Sequence, residues 1–287
     1  MNYEKRSDSN GFRGGGQSNL STKRGIDAGK EPFSAAIEEI CKKGFTLAEV
    51  LITLGIIGVV AAMTLPSLIQ KNQDKELISR TKKVYSELTN TLLLAQQDLG
   101  VIGDNSFLFN TTDDSSVVAK KLLKYFKGAS YCKNSSQKGC AKYYYDVKYA
   151  KLQLDSNNAG SVTSLASYPK IILPNGEYIA VINSKRENCS ALQTTHKTDE
   201  YGRPILDENG DKIPVTYTSN ACGYFYFDVN GHKKPNQFGR DVYQLFVNRT
   251  GTHVANTYLG SKSLLNILSG KDELEYENYS KGQQFDF

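Results

Sequence analysis

The chain of 287 residues contains no tryptophan, three histidines, two methionines and five cysteines. Each scarcity bears on chemistry. His196, His232 and His253 show no metal-binding spacing such as H-x-x-x-H and read as surface residues. No two cysteines form a C-x-x-C pair, which argues against a zinc ribbon or a thioredoxin-like site. The phosphate-binding P-loop, the dinucleotide-binding glycine pattern and G-x-S-x-G are all missing. No nucleophile pairs with a base at a recognisable spacing, so the chain is expected not to be an enzyme. The net charge of +5 is spread thinly and leaves no basic stripe for nucleic acid. Only 39% of residues are hydrophobic, and the mean hydropathy is −0.45. Strong apolarity is confined to one place. What is abundant is tyrosine (18) and phenylalanine (12), a composition that suits a β-rich, half-exposed body.

The apolar place is KKGFTLAEVLITLGIIGVVAAMTLPSL, residues 42–68. Residues 45–69 are long enough to span a bilayer core, which takes roughly 20 residues as helix. Lys42 and Lys43 abut the run and hold that end on the cytoplasmic side. Glu49 lies inside it. At the centre of a membrane helix an acid costs about 2.5–3.5 kcal/mol, which makes Glu49 a functional candidate in need of a partner. Its helical neighbours Phe45, Ala48, Leu51, Ile52 and Thr53 offer no cation, so the partner is expected from elsewhere. A cut after Gly44 would create one. It would leave Phe45 with an α-amine, positive at neutral pH, that can meet Glu49 of another copy.

Residues 1–44 are polar, carry eight basic against six acidic residues, and read as disordered. Residues 70–100 place Leu77, Ile78, Thr81, Val84, Tyr85, Leu88, Leu92, Ala95 and Leu99 at the spacing of an amphipathic helix. Gly100 is its stop. One helix is thus predicted from about Phe45 to about Leu99, kinked at Pro66, which removes a backbone donor. Beyond it lies a soluble α/β head, residues 101–287. DDSSVVAKKLLKYFKGA reads as a short helix capped near Ser115 or Ser116. KYYYDVKYAKLQLD alternates like a strand, and KIILPNGEYIAVIN is a hairpin about Pro-Asn-Gly. GYFYFDVNG and DVYQLFVNRTGTHV read as two more strands. Residues 190–215 read as a long loop, and the tail from about residue 269 as polar and mobile. The fold class is α+β: a long N-terminal helix packed on an antiparallel sheet of about four strands.

Cys41 precedes the apolar run, whereas Cys132, Cys140, Cys189 and Cys222 follow it. If the run separates two compartments, an even number of cysteines lies on the far side, which fits disulfides in an oxidising space. Four cysteines allow three pairings. Cys132–Cys140 and Cys189–Cys222 are favoured, since each closes a loop between neighbours in sequence.

The order basic residues, Gly44, Phe45, then Glu49 at the fifth position of the run resembles the N-terminal segment of type IV pilin-like proteins, a group of pilins and secretion or competence pseudopilins. The resemblance covers residues 42–68 and extends by layout to the whole chain. It implies that a prepilin peptidase removes residues 1–44 after Gly44, that Phe45 is N-methylated, and that Glu49 serves assembly. Pro66 matches the kink proline of many members. The expected partners are the peptidase, other pilin or pseudopilin subunits, a membrane assembly platform and, before assembly, lipid. The expected location is the bacterial inner membrane, single-pass, with an extracytoplasmic head, and then a pilus or type II secretion pseudopilus. The leader of 44 residues is longer than most in the family, and the long remainder favours a minor or specialised subunit. Two alternatives stay open: a minor tip subunit binding DNA, a secreted substrate or a surface, and an anchored extracytoplasmic domain that never polymerises. A plain signal anchor, or a signal peptide cut near Ala61 or Ala62, would not account for Gly-Phe-Thr-Leu-x-Glu in that order. Gly55 and Gly58 suit close helix approach or local melting.

One metal site is a candidate. Asp228, Asn230, Asn236 and Asp241 in DVNGHKKPNQFGRD carry oxygen ligands of the kind Ca²⁺ takes, and the segment resembles a calcium-binding loop of some pseudopilins. Asp207, Asn209 and Asp211 are a weaker second candidate. The plainer expectation for both is a turn whose Asp and Asn side chains satisfy local backbone groups. The loop that Cys189–Cys222 would close is, by the same resemblance, where a partner or surface is recognised.

Overall fold

The computed structural model describes residues 44–150, 159–162, 164–197, 204–254, 263–271, 273–274 and 279–283. The predicted leader, residues 1–43, lies outside them. The chain divides into two compact units, residues 1–61 and 62–287.

Helix α1 runs Leu47–Leu99 and continues through Pro66. Gly100 ends it in the left-handed region, at φ 68°. The Gly100 N–H donates to Gln97 (3.0 Å) and the Val101 N–H to Gln96 (3.0 Å). This pair of bonds satisfies carbonyls that the helix leaves open, and glycine adopts the required φ without a Cβ clash. Beyond the turn, Gln96 Nε2 donates to Asn105 Oδ1 at 2.7 Å, and Asn105 Nδ2 donates to the Asn248 carbonyl at 2.8 Å. These buried amides fasten the helix end to the sheet.

The larger unit is built on a six-stranded antiparallel sheet, where about four strands were expected. Its order is β1 (Ser130–Cys132), β4 (Lys170–Ile172), β5 (Tyr178–Asn183), β8 (Ala221–Asp228), β9 (Val242–Asn248), β10 (Gly251–Val254). The Pro-Asn-Gly hairpin joins β4 and β5 as predicted, with Gly176 at φ 92°. DVYQLFVNRTGTHV is two strands, β9 and β10, folded about Arg249 and Thr250. The expected single strand ran through Asn248-Arg249-Thr250-Gly251, a polar run that breaks the apolar pattern of β9 and makes the turn.

Period-2 alternation sets the two faces. Ile179, Val181, Phe225, Phe227, Leu245 and Val247 face one core with Val84, Leu88, Leu92 and Ala95 of α1. Fully burying each such side chain contributes about 1.5–3 kcal/mol. The predicted stripe is present from Leu77 to Ala95, but Leu99 is 49% exposed. Helix α2 (Ser115–Leu123) adds Val118, Ala119 and Leu122 to this core. Its N-cap is Asp114, one residue before the expected serines, and Asp114 pairs with Lys185 instead of capping. The Ser115 hydroxyl accepts the Asn183 N–H of β5 at 3.0 Å.

The opposite face of the sheet carries Tyr178, Ala180 and Ile172, covered by Tyr143, Tyr144 and Tyr145. The expected strand KYYYDVKYAKLQLD is therefore mostly a strap. Ala141–Tyr143 form one 3₁₀ turn, and only β2 (Val147–Tyr149) is extended, paired with β3 (Gly160–Val162). Its last residues, from Lys151, lie outside the described set. Residues 190–215 are not a plain loop. β6 (Ala191–His196) and β7 (Pro214–Ser219) form a separate antiparallel ribbon, mostly exposed. The ribbon packs on no core among the described residues, and Val215 and Tyr217, which alternate with threonines in β7, are exposed. The tail is not uniformly free either: helix α3 (Leu264–Ser269) precedes a buried Leu274 and Tyr279.

Both favoured disulfides are present, Cys132–Cys140 and Cys189–Cys222, with Cα atoms 5.7 and 4.1 Å apart. Cys222 is the extra residue of a β-bulge, since Ala221 faces Asn248 and Gly223 faces Val247. The bulge needs glycine next to it: a Cβ on Gly223 would stand 2.3 Å from the Ile182 carbonyl oxygen and 2.5 Å from the Phe109 ring.

Candidate functional site

The N-terminal segment is built around the first turn of α1. The opening N–H groups of a helix have no intrahelical partner. Thr46 and Glu49 supply them. The Thr46 N–H and the Thr46 hydroxyl both donate to Glu49 Oε2 at 2.8 Å, and the Glu49 N–H donates back to Thr46 Oγ1 at 3.2 Å. This is a capping box, in which residues three apart satisfy each other's backbone donors. Glu49 thus has neutral hydrogen-bond partners in its own first turn, and these supply no counter-charge. The signal was in the sequence: Thr46-Leu-Ala-Glu49 before an apolar run is the capping-box pattern. Thr53 bonds back to the Glu49 carbonyl at 2.8 Å, as its place in an apolar helix requires.

The rest of the segment makes no demand of its own. Phe45 is 87% exposed. Among the described residues, a Cβ on Gly44, Gly55 or Gly58 would meet nothing within 4 Å. Glycine at 44 is thus required neither by packing nor by a left-handed backbone. Helix α1 is long and apolar enough to cross a membrane, and its most apolar window is wholly unburied.

Residues 41–65 match the family model for the prokaryotic N-terminal methylation motif. The match takes in Gly44, Phe45 and Glu49 and supports a type IV prepilin-like protein, with processing by a prepilin peptidase and an N-terminal membrane anchor. No curated protein and no solved structure matches the chain.

The head holds the four residues of the calcium candidate. The structure brings them together in one hydrogen-bonded turn. Asp228 Oδ1 accepts the N–H groups of Asn230 (3.0 Å) and Gly231 (2.7 Å), and its Oδ2 accepts the Tyr145 hydroxyl at 2.7 Å. Asp241 accepts the N–H groups of Asn236 (2.8 Å) and Gln237 (2.7 Å). Both aspartates are fully buried. Burial, with the charge of Asp241 close by, pushes the Asp228 carboxyl well above its usual range; burial raises Asp241 too. Ca²⁺ takes six to eight oxygen ligands. Here the carboxylate oxygens face N–H and O–H donors. Among the described residues no three Asp, Glu, His or Cys side chains group as a metal site. The two aspartates close a turn, and the Asn230 Oδ1 beside them is buried with no hydrogen-bond partner among the described residues. Asp207 behaves alike, accepting the N–H groups of Asn209 and Asp211 at 2.9 Å each.

Sequence reasoning missed a neighbouring buried amine. Lys170 Nζ donates to the Leu165 carbonyl at 2.6 Å and lies 4.2 and 5.0 Å from the ring centres of Tyr144 and Tyr178. Burial holds its pKa down to about 7, against the opposing charge of Asp228. Its place at the start of a hairpin strand gave no hint of burial.

Proposed function

We propose that this chain is a structural subunit of a type IV pilus or a type II secretion pseudopilus. It is cleaved after Gly44 and N-methylated at Phe45, and it is drawn from the bacterial inner membrane into a filament through its apolar helix. The observation that carries this reading is the methylation motif at the start of an unburied apolar helix. A glycine at 44 that the chain's own packing does not need adds to it, because its requirement then falls to an enzyme that reads the site. In the filament the Phe45 amine of one subunit would meet Glu49 of the next, exchanging the capping box for an ion pair in a dry core. A repeated head-to-tail contact of this kind makes an open helical assembly.

The capping box makes the test sharper than a simple truncation. Glu49→Gln keeps an acceptor for the Thr46 donors but removes the charge. Glu49→Ala removes both. If charge pairing drives assembly, both variants are processed, stay in the membrane and fail to polymerise. Filaments from Glu49→Gln at wild-type level would show that Glu49 acts as a cap and not as an assembly charge. N-terminal mass spectrometry gives the second check, with a mature chain expected to begin at N-methyl-Phe45.

A further inference from the structure

The α1 residues just past the apolar run form one wall of a cleft of about 270 Å³, and the loop between β8 and β9 forms the other. Arg80 on the helix and Lys233, Lys234 and Arg240 on the loop bring four cations to it; Asp74 and Glu76 bring two carboxylates. Both carboxylates are engaged. Glu76 pairs with Arg80 at 2.6 Å, and Asp74 accepts Gln70 Nε2 at 2.9 Å. Lys233 and Lys234 are exposed, and Arg240 Nε is buried with no hydrogen-bond partner among the described residues. The cleft is therefore polar, and cationic on its loop side.

Its place along α1 gives the chemistry of the ligand. Gln70 follows the last apolar residue, Ile69, directly. At a rise of about 1.5 Å per residue, Gln70 to Asp74 fall in the roughly 5–8 Å polar layer outside the hydrocarbon core. Lys71 falls in this layer and Lys75 at its outer edge, and Arg80, Lys82 and Lys83 continue the positive run farther along the helix. Positive residues beside a span ordinarily collect on the cytoplasmic side, and Lys42–Lys43 already mark that side. Topology does not explain the second cluster, whereas an anionic membrane surface does.

We infer that this cleft binds the phosphate headgroup of an anionic glycerophospholipid while the subunit is anchored. The bound headgroup holds the base of the head against the bilayer before extraction. The inference rests on the membrane anchoring of the subunit and not on its polymerisation.

The test uses the full chain in detergent micelles, with phosphatidylglycerol or phosphatidylcholine added and retention read by native mass spectrometry. The wild type is expected to retain phosphatidylglycerol preferentially. Lys233→Gln with Lys234→Gln lowers that retention roughly tenfold or more, the weight of two lysines near an anionic surface, and leaves the thermal midpoint unchanged. Arg240→Gln lowers it further. Inorganic phosphate does not displace the lipid. Equal retention of the two lipids, undiminished retention in the double variant, or displacement by free phosphate overturns the inference. So does a salt-sensitive dimer that the double variant abolishes, because the occupant would then be a second copy. Glu49→Ala retains the lipid like the wild type, so failure of the assembly reading and failure of this one are separately visible.

Discussion

Lys170 couples the stability of the head to pH. Its amine is folded away against two tyrosine rings and a carbonyl, and its pKa is about 7. In the unfolded chain a lysine titrates near about 10.4. Between these values the unfolded chain binds one proton more than the folded chain, so stability rises with pH. Below pH 7 both states are protonated and the cost of burying the charge is fully present. The slope is about 1.4 kcal/mol per pH unit at most, and integration from pH 7 to pH 9 gives about 2 kcal/mol. The window stops there because tyrosines of the unfolded chain begin to ionise near 10. Lys170→Met keeps the volume and removes the proton. Urea denaturation of the full chain in micelles, followed by circular dichroism at pH 6, 7, 8 and 9, is the assay. The wild type is expected to gain about 2 kcal/mol relative to the variant across the upper three points. At pH 6 the variant is expected to be at least as stable, because an apolar side chain replaces a buried charge. Parallel profiles for the two proteins would refute the reasoning, since Lys170 would then titrate alike in both states.

Two further outcomes are expected. Replacing Cys189 and Cys222 by serine frees a loop of sequence separation 33 and costs about 4 kcal/mol on the loop-entropy model, against about 2.5 for Cys132 and Cys140 with separation 8; urea midpoints of the two double variants check the order. Adding Ca²⁺ or a chelator leaves the thermal midpoint unchanged, because Asp228 and Asp241 already face donors; a rise with calcium in calorimetry would reopen the loop as a metal site.

What could be read ahead of the structure follows from how local the signal is. The helix from about 45 to 99, its Gly100 stop and the Pro-Asn-Gly hairpin each rest on residues within one turn of each other, and all three are present. The disulfide pairs were favoured on the same ground of proximity. The misses have the opposite cause. Tyr143 to Tyr145 look like a strand because aromatics suit strands, yet a third layer over Tyr178 needs them as a strap. β6 and β7 pair only with each other and bury little, so their polar, turn-rich surroundings dominate the sequence pattern. Asp114 sits at the N-cap position before the serines, but its side chain makes no cap bond and pairs instead with Lys185, 71 residues away. At the N-terminal site, Thr46 stands three residues before Glu49, and the capping box they form is legible in Thr46-Leu-Ala-Glu49.

The β6–β7 ribbon shows how the molecule tolerates damage. Cys189 stands just before the first strand and Cys222 just after the second, so the covalent link closes the ribbon at its root. A protease that cuts anywhere between Ala191 and Ser219 opens the backbone but releases no fragment, and the six-stranded sheet keeps all its neighbours. The same arrangement lets the ribbon lengthen or change sequence without disturbing the strand order beneath it. The head thus carries a region that can vary, be nicked or be rebuilt at its tip while its foundation stays stitched.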